Sequence, residues 1–349
     1  MKKVLIDLSK IKRLYTGLGQ VSYYQGIYFT KLAGQYPQLD LTFLLPKDKT
    51  VLFPGVKTEP ISETRRYLPF IKKRYDIWYA NNQDTKYKPN NETYILTVHD
   101  LNVLWEKTGW KKEKRIAEIE KKIHRAKVIT YISHFSKSQV HRFIKIPQDK
   151  TEKVIYNGVE IDKNHISPRP QYIGERPFLF SIGGLREKKN FKVLIDFMRL
   201  LPQYDLIIAG ENNTRYGEEM KERIRELGMQ DRIILPGIIS EAEKNYLYKH
   251  CEALVYPSLL EGFGLPVIEA MLWGKPVICS DKTSLPEIGG KYAFYWENFD
   301  PQYMKEVFDK AMEKFNNDKE FRRSMLEYAS KFSWQNNVNQ YLQIFSGIN

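Results

Sequence analysis

Short apolar, β-branched runs alternate with longer amphipathic stretches along the whole chain, a pattern typical of βαβ units and a parallel sheet. In the first half, the runs that predict strands lie at residues 3–7, 41–45, 77–80, 94–98, 128–132 and 153–156. In the second half they lie at residues 178–182, 204–209, 232–235, 253–256 and 277–279. Helices of the first half are predicted near residues 19–34, 61–74, 111–125 and 135–144. The pattern occurs twice and therefore predicts two doubly wound, Rossmann-like α/β domains.

A segment rich in proline and glycine separates the two halves. Residues 162–177 include Pro168, Pro170, Gly174 and Pro177 and have little apolar periodicity, as expected of a linker. We expect an N-terminal domain at residues 1–163 and a C-terminal domain at 164–333. A last helix is predicted at about 334–349, and one of the arrangements open to it is to pack back on the first domain. Ligands of such sheets bind beyond the carboxyl ends of the strands, so two facing domains would form an interdomain cleft.

The composition agrees with a globular protein of a reducing compartment. Of the 349 residues 42% are apolar, which is enough for two cores and excludes disordered and coiled-coil classes. The only cysteines are Cys251 and Cys279, which excludes a disulfide framework and a cysteine-based zinc site. The apolar run at residues 4–6 is too short for a secretory signal, and no stretch reaches the roughly 18 to 20 apolar residues of a membrane span. We therefore expect a cytoplasmic protein.

Positive charge is concentrated in the first half of the chain. Residues 1–165 contain 31 basic and 17 acidic residues, a net charge of +14, whereas residues 166–349 contain 24 and 25, a net charge of −1. One cluster alternates cations with aromatic and aliphatic residues, as an interfacial segment does, and consists of Arg65, Arg66, Lys72, Lys73 and Arg74. This cluster predicts an acceptor surface or a peripheral contact with the anionic inner face of a membrane. The basic run at 107–127 has acidic residues at helical spacing and indicates a solvated helix face. Nucleic acid is the rival anionic partner, but the chain has no nucleic-acid module signature.

The most informative segment runs from the end of a predicted strand at Tyr256 to a predicted helix near Pro266. Between them, Glu261 precedes two glycines, Gly262 and Gly264, and Glu269 follows in the helix. A helix N-terminus lined by glycines exposes backbone amides that bind anions such as phosphate. An ordinary strand-turn-helix, with Glu269 favouring the helix dipole, is the alternative. Two carboxylates beside an anion cradle make a binding site the better interpretation.

The segment resembles the Glu-x7-Glu signature of the retaining glycosyltransferases of family 4, and the resemblance extends over nearly the whole chain. It implies the GT-B fold, with two Rossmann-like domains and a nucleotide-sugar donor. It also implies that Glu261 lies beside the donor sugar and that Glu269 binds the ribose. The resemblance assigns sugar hydroxyls and the diphosphate to the backbone amides that follow Glu261, which are those of Gly262, Phe263, Gly264 and Leu265.

A second glycine-containing segment, residues 181–191, follows the first strand of the second half. Its glycines and basic side chains suit a diphosphate, although a solvated basic turn explains them equally well. The segment resembles the family's glycine-rich loop that ends in Lys-Asn, which implies that Lys189 binds the diphosphate. Many members have arginine directly after the first glycine or directly before that lysine, whereas this chain has Gly184 and Lys188. Arg186 and Lys188 remain alternatives for the second cation.

The resemblance assigns further donor contacts to shorter motifs. Gly237 and Ile238 follow a strand at the position where the family holds the nucleotide base. Gly17 and Gly19 form a Gly-x-Gly loop that would face the donor phosphates. His99 lies after a buried strand where a histidine contacts the donor sugar, although a lone histidine is more often a core residue.

These features predict a retaining glycosyltransferase that needs no cofactor or metal, because the chain has no Asp-x-Asp cluster suited to holding Mg²⁺ on a diphosphate. Lys189, His99 and Glu261 are the predicted catalytic residues. The donor would be a nucleoside-diphosphate sugar, with GDP-mannose favoured over UDP-sugars, and the acceptor a glycan or a lipid-linked glycan of a cell-surface polysaccharide or glycolipid. The alternatives are a sugar-nucleotide epimerase or hydrolase of the same fold and an inactive nucleotide-sugar-binding protein.

Overall fold

The computed structural model describes residues 1–14, 16–61, 75–87, 89–106 and 108–348. The chain forms two units, of which the first consists of Met1–Gly158 and Phe332–Asn349 and the second of Val159–Lys331. The sequence predicts boundaries at residues 163 and 333, so the structure divides the chain slightly earlier at both places. Residues 62–74, which make up nearly all of the helix predicted near 61–74, lie outside the described residues.

The first unit is built on a parallel sheet of seven described strands. They are β1 (Lys2–Asp7), β2 (Leu39–Leu45), β3 (Lys57–Pro60), β4 (Ile77–Ala80), β5 (Thr93–Val98), β6 (Val128–Tyr131) and β7 (Thr151–Val154). Their order is β3-β2-β1-β4-β5-β6-β7, and each neighbouring pair is parallel. The chain reverses its winding direction between β1 and β4, and ligands of such sheets bind at the carboxyl ends beside this reversal.

The second unit repeats the arrangement with six strands in its described sheet. They are β8 (Phe178–Ile182), β9 (Asp205–Ala209), β10 (Ile233–Gly237), β11 (Ala253–Tyr256), β12 (Val277–Ser280) and β13 (Phe294–Trp296). Their order is β10-β9-β8-β11-β12-β13, again parallel throughout. Here the winding reverses between β8 and β11. The loops that follow these two strands contain Lys189 and Glu261.

Most of the described helices lie between strands, and the last three follow β13. They are α1 (Gly17–Leu32), α2 (Val103–Glu106), α3 (Gly109–Arg125), α4 (His134–Phe143), α5 (Val193–Arg199), α6 (Arg215–Glu226), α7 (Glu241–His250), α8 (Leu265–Leu272), α9 (Leu285–Gly289), α10 (Pro301–Asn317), α11 (Lys319–Ala329) and α12 (Trp334–Gly347). Short 3-10 turns lie at Ser9–Lys12, Ala33–Gln35, Lys47–Lys49, Glu187–Lys189 and Gly290–Tyr292. The prediction of two doubly wound α/β domains is thus confirmed.

Two strands are absent from the sequence prediction, β3 and β13, and both lie at an edge of their sheet. An edge strand pairs on one side only, so short or polar segments can form it. The sequence of β3 is Lys-Thr-Glu-Pro, and β13 is three residues long. β3 lacks the apolar run by which buried parallel strands are recognised, and the apolar run of β13, Phe-Tyr-Trp, is short.

Helix α12 packs on the first unit although the whole second unit precedes it in sequence. Its Tyr341 hydroxyl hydrogen-bonds Thr97 Oγ1 at 2.9 Å and Thr130 Oγ1 at 3.0 Å, on β5 and β6. The Phe345 ring stacks on Phe29 of α1, with 5.8 Å between ring centroids. The helix is therefore part of the first unit's core, together with the residues around it.

Candidate active site

The loop between β11 and α8, residues 257–264, positions Glu261 at the carboxyl end of a central strand. It ends at Gly264, whose φ of +103° lies in the left-handed region that favours glycine. A Cβ at this position would lie 2.6 Å from Leu285 Cδ2, so any other residue would also force the Leu285 side chain to move. Pro266 then occupies the start of α8, where a missing N–H leaves no hydrogen bond unmade.

The Glu261 carboxylate is the centre of a compact hydrogen-bond cluster. Its Oε1 accepts hydrogen bonds from Lys189 Nζ at 2.5 Å, from the Tyr256 hydroxyl at 2.6 Å and from the Ser258 hydroxyl at 2.7 Å. The Lys189 ammonium also donates to the Tyr256 oxygen at 2.6 Å. The side chains of Lys189 and Glu261 are only 15% and 14% exposed. Two motifs that are 72 residues apart in sequence thus form one ion pair.

The electrostatics of the cluster keep this carboxyl ionised. Burial raises the pKa of Glu261, but the Lys189 charge and the hydrogen bonds from Lys189, Tyr256 and Ser258 lower it more, so the net shift is downward. Burial and the Glu261 charge raise the pKa of the Tyr256 hydroxyl well above its usual value. Tyr256 therefore acts as a neutral hydrogen-bond donor beside a fixed anion and a fixed cation.

The glycine-containing segment after β8 shapes the backbone that supports Lys189. Gly183 has a φ of +149°, and a Cβ there would lie 3.2 Å from Lys189 Cε. A Cβ at Gly210, at the end of the neighbouring strand β9, would lie 2.1 Å from the Gly183 carbonyl oxygen. Glycine at both positions therefore lets two loops and the lysine side chain pack closely.

The two alternatives for a second cation differ in their contacts. Arg186 donates to Glu211 Oε2 at 2.5 Å, in a pair that is about half exposed. The backbone carbonyl of Lys188 accepts hydrogen bonds from the Ser258 hydroxyl at 3.2 Å and from the Leu259 amide at 2.8 Å. Lys188 thus connects the two loops through its backbone, while the Arg186 side chain is paired with an acidic residue.

Glu269, the second glutamate of the signature, has its own buried cation. Its Oε1 accepts from Lys244 Nζ at 3.0 Å and its Oε2 from the Tyr248 hydroxyl at 2.8 Å. Lys244 also pairs with Glu241 at 2.7 Å. Burial lowers the pKa of Lys244, but the charges of Glu269 and Glu241 more than compensate and raise it above its usual value. Lys244 and Tyr248 are absent from the sequence prediction, although their spacing of four places them on one face of α7.

The remaining predicted contacts of the second unit are backbone positions at strand and helix ends. Gly237 ends β10 with a φ of +85°, and its carbonyl accepts from the Gly210 amide at 2.7 Å. Ile238 is 57% exposed, which is high for a large apolar side chain. Gly262 and Phe263 are buried, whereas Leu265, the first residue of α8, is partly exposed.

His99 and the glycines at 17 and 19 belong to the first unit. The His99 ring is buried, and its Nε2 lies 2.7 Å from the Asn81 carbonyl oxygen, to which it donates when that nitrogen carries the proton. Burial lowers the pKa of His99 to about 4, so the imidazole is neutral at physiological pH. Gly17 begins α1, and a Cβ at Gly19 would lie 1.9 Å from the Arg13 carbonyl oxygen. Gly19 is therefore required by close packing, while the space around Gly17 is open.

The predicted membrane or acceptor cluster, Arg65, Arg66, Lys72, Lys73 and Arg74, lies outside the described residues. Among the helices that are described, none is both long and apolar enough to cross a membrane. Within the described part of the chain, no group of three or more His, Cys, Asp or Glu side chains is placed to hold a metal ion.

The chain is similar to known glycosyltransferases. Residues 162–332 match the family model of the group 1 glycosyl transferases. The chain is 28% identical over 273 residues to O-antigen chain mannosyltransferase B of Escherichia coli, a match that covers 73% of this chain and 70% of that protein. It is 27% identical over 245 residues to the serotype-specific mannosyltransferase WbdA of Escherichia coli, covering 66% of this chain but only 30% of WbdA.

Among solved structures, Anabaena HepE in complex with UDP and glucose is similar over 100% of both chains, with a TM-score of 0.75 at 19% identity. The chain therefore has the GT-B fold of two Rossmann-like domains. The family match of the second unit and the curated relatives together support a glycosyltransferase.

Proposed function

We propose that this protein is a retaining glycosyltransferase that transfers a sugar from a nucleoside-diphosphate donor to a growing cell-surface glycan or glycolipid. The observation that carries the proposal is the Lys189–Glu261 ion pair, because it joins the two motifs that the resemblance assigns to donor binding. Mannose is the favoured sugar, since both curated relatives named above are mannosyltransferases and one of them is an O-antigen chain mannosyltransferase. GDP-mannose is then the favoured donor, and UDP-sugars are the alternative.

In this proposal, departure of the diphosphate is assisted by protein cations and backbone amides. A lysine ammonium has three protons to donate, so Lys189 can keep its bond to Glu261 and still donate to a phosphate oxygen. The amides at the start of α8 add the positive end of the helix dipole. Negative charge that develops on the leaving group is then stabilised by groups already in place, which is the most effective form of electrostatic catalysis.

Glu261 acts as a donor-positioning and electrostatic residue. Its lowered pKa keeps it anionic, so it can accept hydrogen bonds from donor-sugar hydroxyls and stabilise positive charge on the sugar ring. Glu269, oriented by Lys244 and Tyr248, accepts the ribose hydroxyls. The acceptor attacks the face from which the diphosphate leaves, as the resemblance implies for retention, and we assign no protein nucleophile.

Thermal unfolding with candidate donors tests the donor assignment. A ligand that binds only the folded state at about 100 times its Kd adds about 2.7 kcal/mol of stability. We expect GDP-mannose to raise the melting temperature of the second unit more than UDP-glucose or ADP-glucose. A larger shift with a UDP-sugar would overturn the choice of GDP-mannose.

A transfer assay in EDTA then tests the reaction itself. Transfer of the sugar to an acceptor with the α-configuration kept is the expected result, and metal chelation should leave the rate unchanged. Turnover of the donor without an acceptor would favour an epimerase or hydrolase. Donor binding without any product would favour an inactive binding protein.

We also propose that the first unit contacts an anionic membrane surface. Support comes from the net charge of +14 in residues 1–165 and from two exposed tryptophans, Trp105 and Trp110, which are 52% and 65% exposed. The ammonium groups of Lys111 and Lys114 lie 5.9 Å from the centre of the Trp110 ring system. Tryptophan rings flanked by lysines are typical of the interface between water and lipid.

Sedimentation with lipid vesicles tests the membrane contact. We expect exchange of all five cations of the 65–74 cluster for glutamine to weaken binding to phosphatidylglycerol vesicles by several kcal/mol, at about 1 kcal/mol per cation. A control exchanges five exposed cations of the second unit, namely Lys249, Lys310, Lys319, Arg323 and Lys331. Equal binding by both variants would contradict the proposed membrane contact without affecting the donor site.

A further inference from the structure

The loop after β12, residues 281–284, makes side-chain hydrogen bonds to the backbone of the 257–264 loop. Thr283 Oγ1 accepts from the Glu261 amide at 3.0 Å. The Ser284 hydroxyl is shared between the carbonyl oxygens of Glu261, at 3.0 Å, and Phe263, at 2.9 Å. Ser280, at the end of β12, donates to the Ser258 carbonyl oxygen. Both the amide and the carbonyl of Glu261 are therefore held by side chains of this second loop.

Thr283 holds this position in an unfavourable backbone conformation. Its φ is +58°, and among the described residues only Asn190 is another non-glycine residue with a positive φ. A β-branched residue in the left-handed region is a genuine outlier, because its Cβ substituents crowd the backbone. Such strain persists where surrounding interactions impose it, and it concentrates at functional sites.

Ser284 is also unusual, because its hydroxyl does not cap the helix that follows it. It occupies the N-cap position of α9, where a serine hydroxyl ordinarily accepts from a backbone amide of the first turn. Here the side chain makes no capping hydrogen bond and donates instead to the 257–264 loop. The residue is fully buried. Its hydroxyl thus stabilises the neighbouring loop rather than the helix that it begins.

We infer that Thr283 and Ser284 are positioning residues that hold the Glu261 peptide so that its carboxylate faces Lys189 and the donor sugar. The inference rests on the proposed function. The hydrogen-bond cluster described above holds the Glu261 carboxylate itself. The backbones of Gly262 and Gly264 that follow are permissive, so they do little to fix the peptide groups that carry this side chain. The bonds from Thr283 and Ser284 supply the missing restraint on both peptide groups of Glu261.

Four variants test the inference. Thr283→Val keeps the β-branched shape and the backbone strain but removes the acceptor oxygen, whereas Thr283→Ser keeps the oxygen. Ser284→Ala removes the donor to both carbonyls. Ser333→Ala, which removes the N-cap of α12 in the first unit, is the control for a lost structural hydroxyl. Each variant is measured for kcat, for donor Kd by calorimetry and for melting temperature.

We expect Thr283→Val and Ser284→Ala to lower kcat about tenfold, the effect of misdirecting one charged group in a preorganised site. In Thr283→Val, donor Kd should change by no more than about twofold, since Lys189 and the amides of residues 262–265 that bind the diphosphate are untouched. Thr283→Ser should restore most of the wild-type kcat. Ser333→Ala should lower the melting temperature and leave kcat unchanged.

Wild-type kcat in Thr283→Val and Ser284→Ala, in an enzyme that transfers sugar, would overturn the positioning role and leave the proposed function intact. Equal losses in Thr283→Val and Thr283→Ser would also overturn it, because the oxygen would then not matter. A wild-type protein that transfers no sugar from any donor would instead remove the proposed function, and with it this inference.

Discussion

Exchange of Lys189 for methionine is expected to lower kcat about 100- to 1,000-fold, the range seen when one preorganised charge-stabilising group is removed. Methionine keeps the approximate length and the apolar stem of the side chain. The variant therefore loses the ammonium that would stabilise the leaving diphosphate, and it leaves the buried Glu261 carboxylate without its cation. Glu261→Gln should lower kcat by a comparable factor, because a neutral amide cannot offset positive charge on the donor sugar.

The two exchanges should not be additive. Once Lys189 is absent, the burial of an unpaired carboxylate raises the Glu261 pKa, so part of the effect of the second exchange has already occurred. Kinetic measurement of both single variants and the double variant gives the coupling free energy directly. Lys305→Met, which breaks an exposed ion pair with Asp309 on α10, is the matched control and should retain wild-type kcat. Wild-type rates in both site variants would refute the assignment of this cluster.

Exchange of Phe345 for alanine is expected to destabilise the first unit by about 3 to 5 kcal/mol, the usual effect of removing a buried phenyl ring. The side chain is fully buried, and it packs on Phe29 of α1 and on Tyr79 of β4, whose ring centroid lies 5.5 Å away. Its removal leaves a cavity between α12, α1 and the sheet. Phe345 belongs to a hydrophobic core cluster made up of first-unit residues, so the stability of the second unit should be unchanged.

Chemical denaturation monitored by amide hydrogen exchange reports the stability of each unit separately. Protection of amides in β1, β4 and β5 should fall in Phe345→Ala, while protection in β8 and β11 should stay as in the wild type. Gln343→Ala is the control, because Gln343 is an exposed residue of the same helix. Equal loss of protection in both units would contradict the assignment of α12 to the first unit alone.

Much of the fold could be predicted from the sequence because its signals are local. Buried parallel strands such as β1 and β5 are continuous apolar runs, and β11 leads directly into the glycine-rich turn before α8. Edge strand β3 carries no such signal, because its sequence is mostly polar, and in edge strand β13 the signal is only three residues long.

The partners within the site could not be predicted in the same way. The sequence indicates Glu261 and Lys189 separately, but their contact depends on β8 and β11 being neighbours in the sheet. Tyr256 has the appearance of an ordinary strand residue, and Lys244 that of an ordinary surface lysine of an amphipathic helix. Thr283 acquires its role only through a backbone angle. In each case the signal is tertiary, because a residue distant in the sequence determines what the side chain does.

The return of α12 to the first unit also determines the order in which the protein can fold during synthesis. Thr97 and Thr130 lie on β5 and β6, yet the Tyr341 hydroxyl that joins them is translated more than two hundred residues later. The second unit is a continuous stretch and can fold as soon as it leaves the ribosome. The first unit cannot complete its core until α12 has been synthesised, so part of that core stays exposed until then. We therefore expect the nascent first unit to be the species that chaperones and proteases encounter.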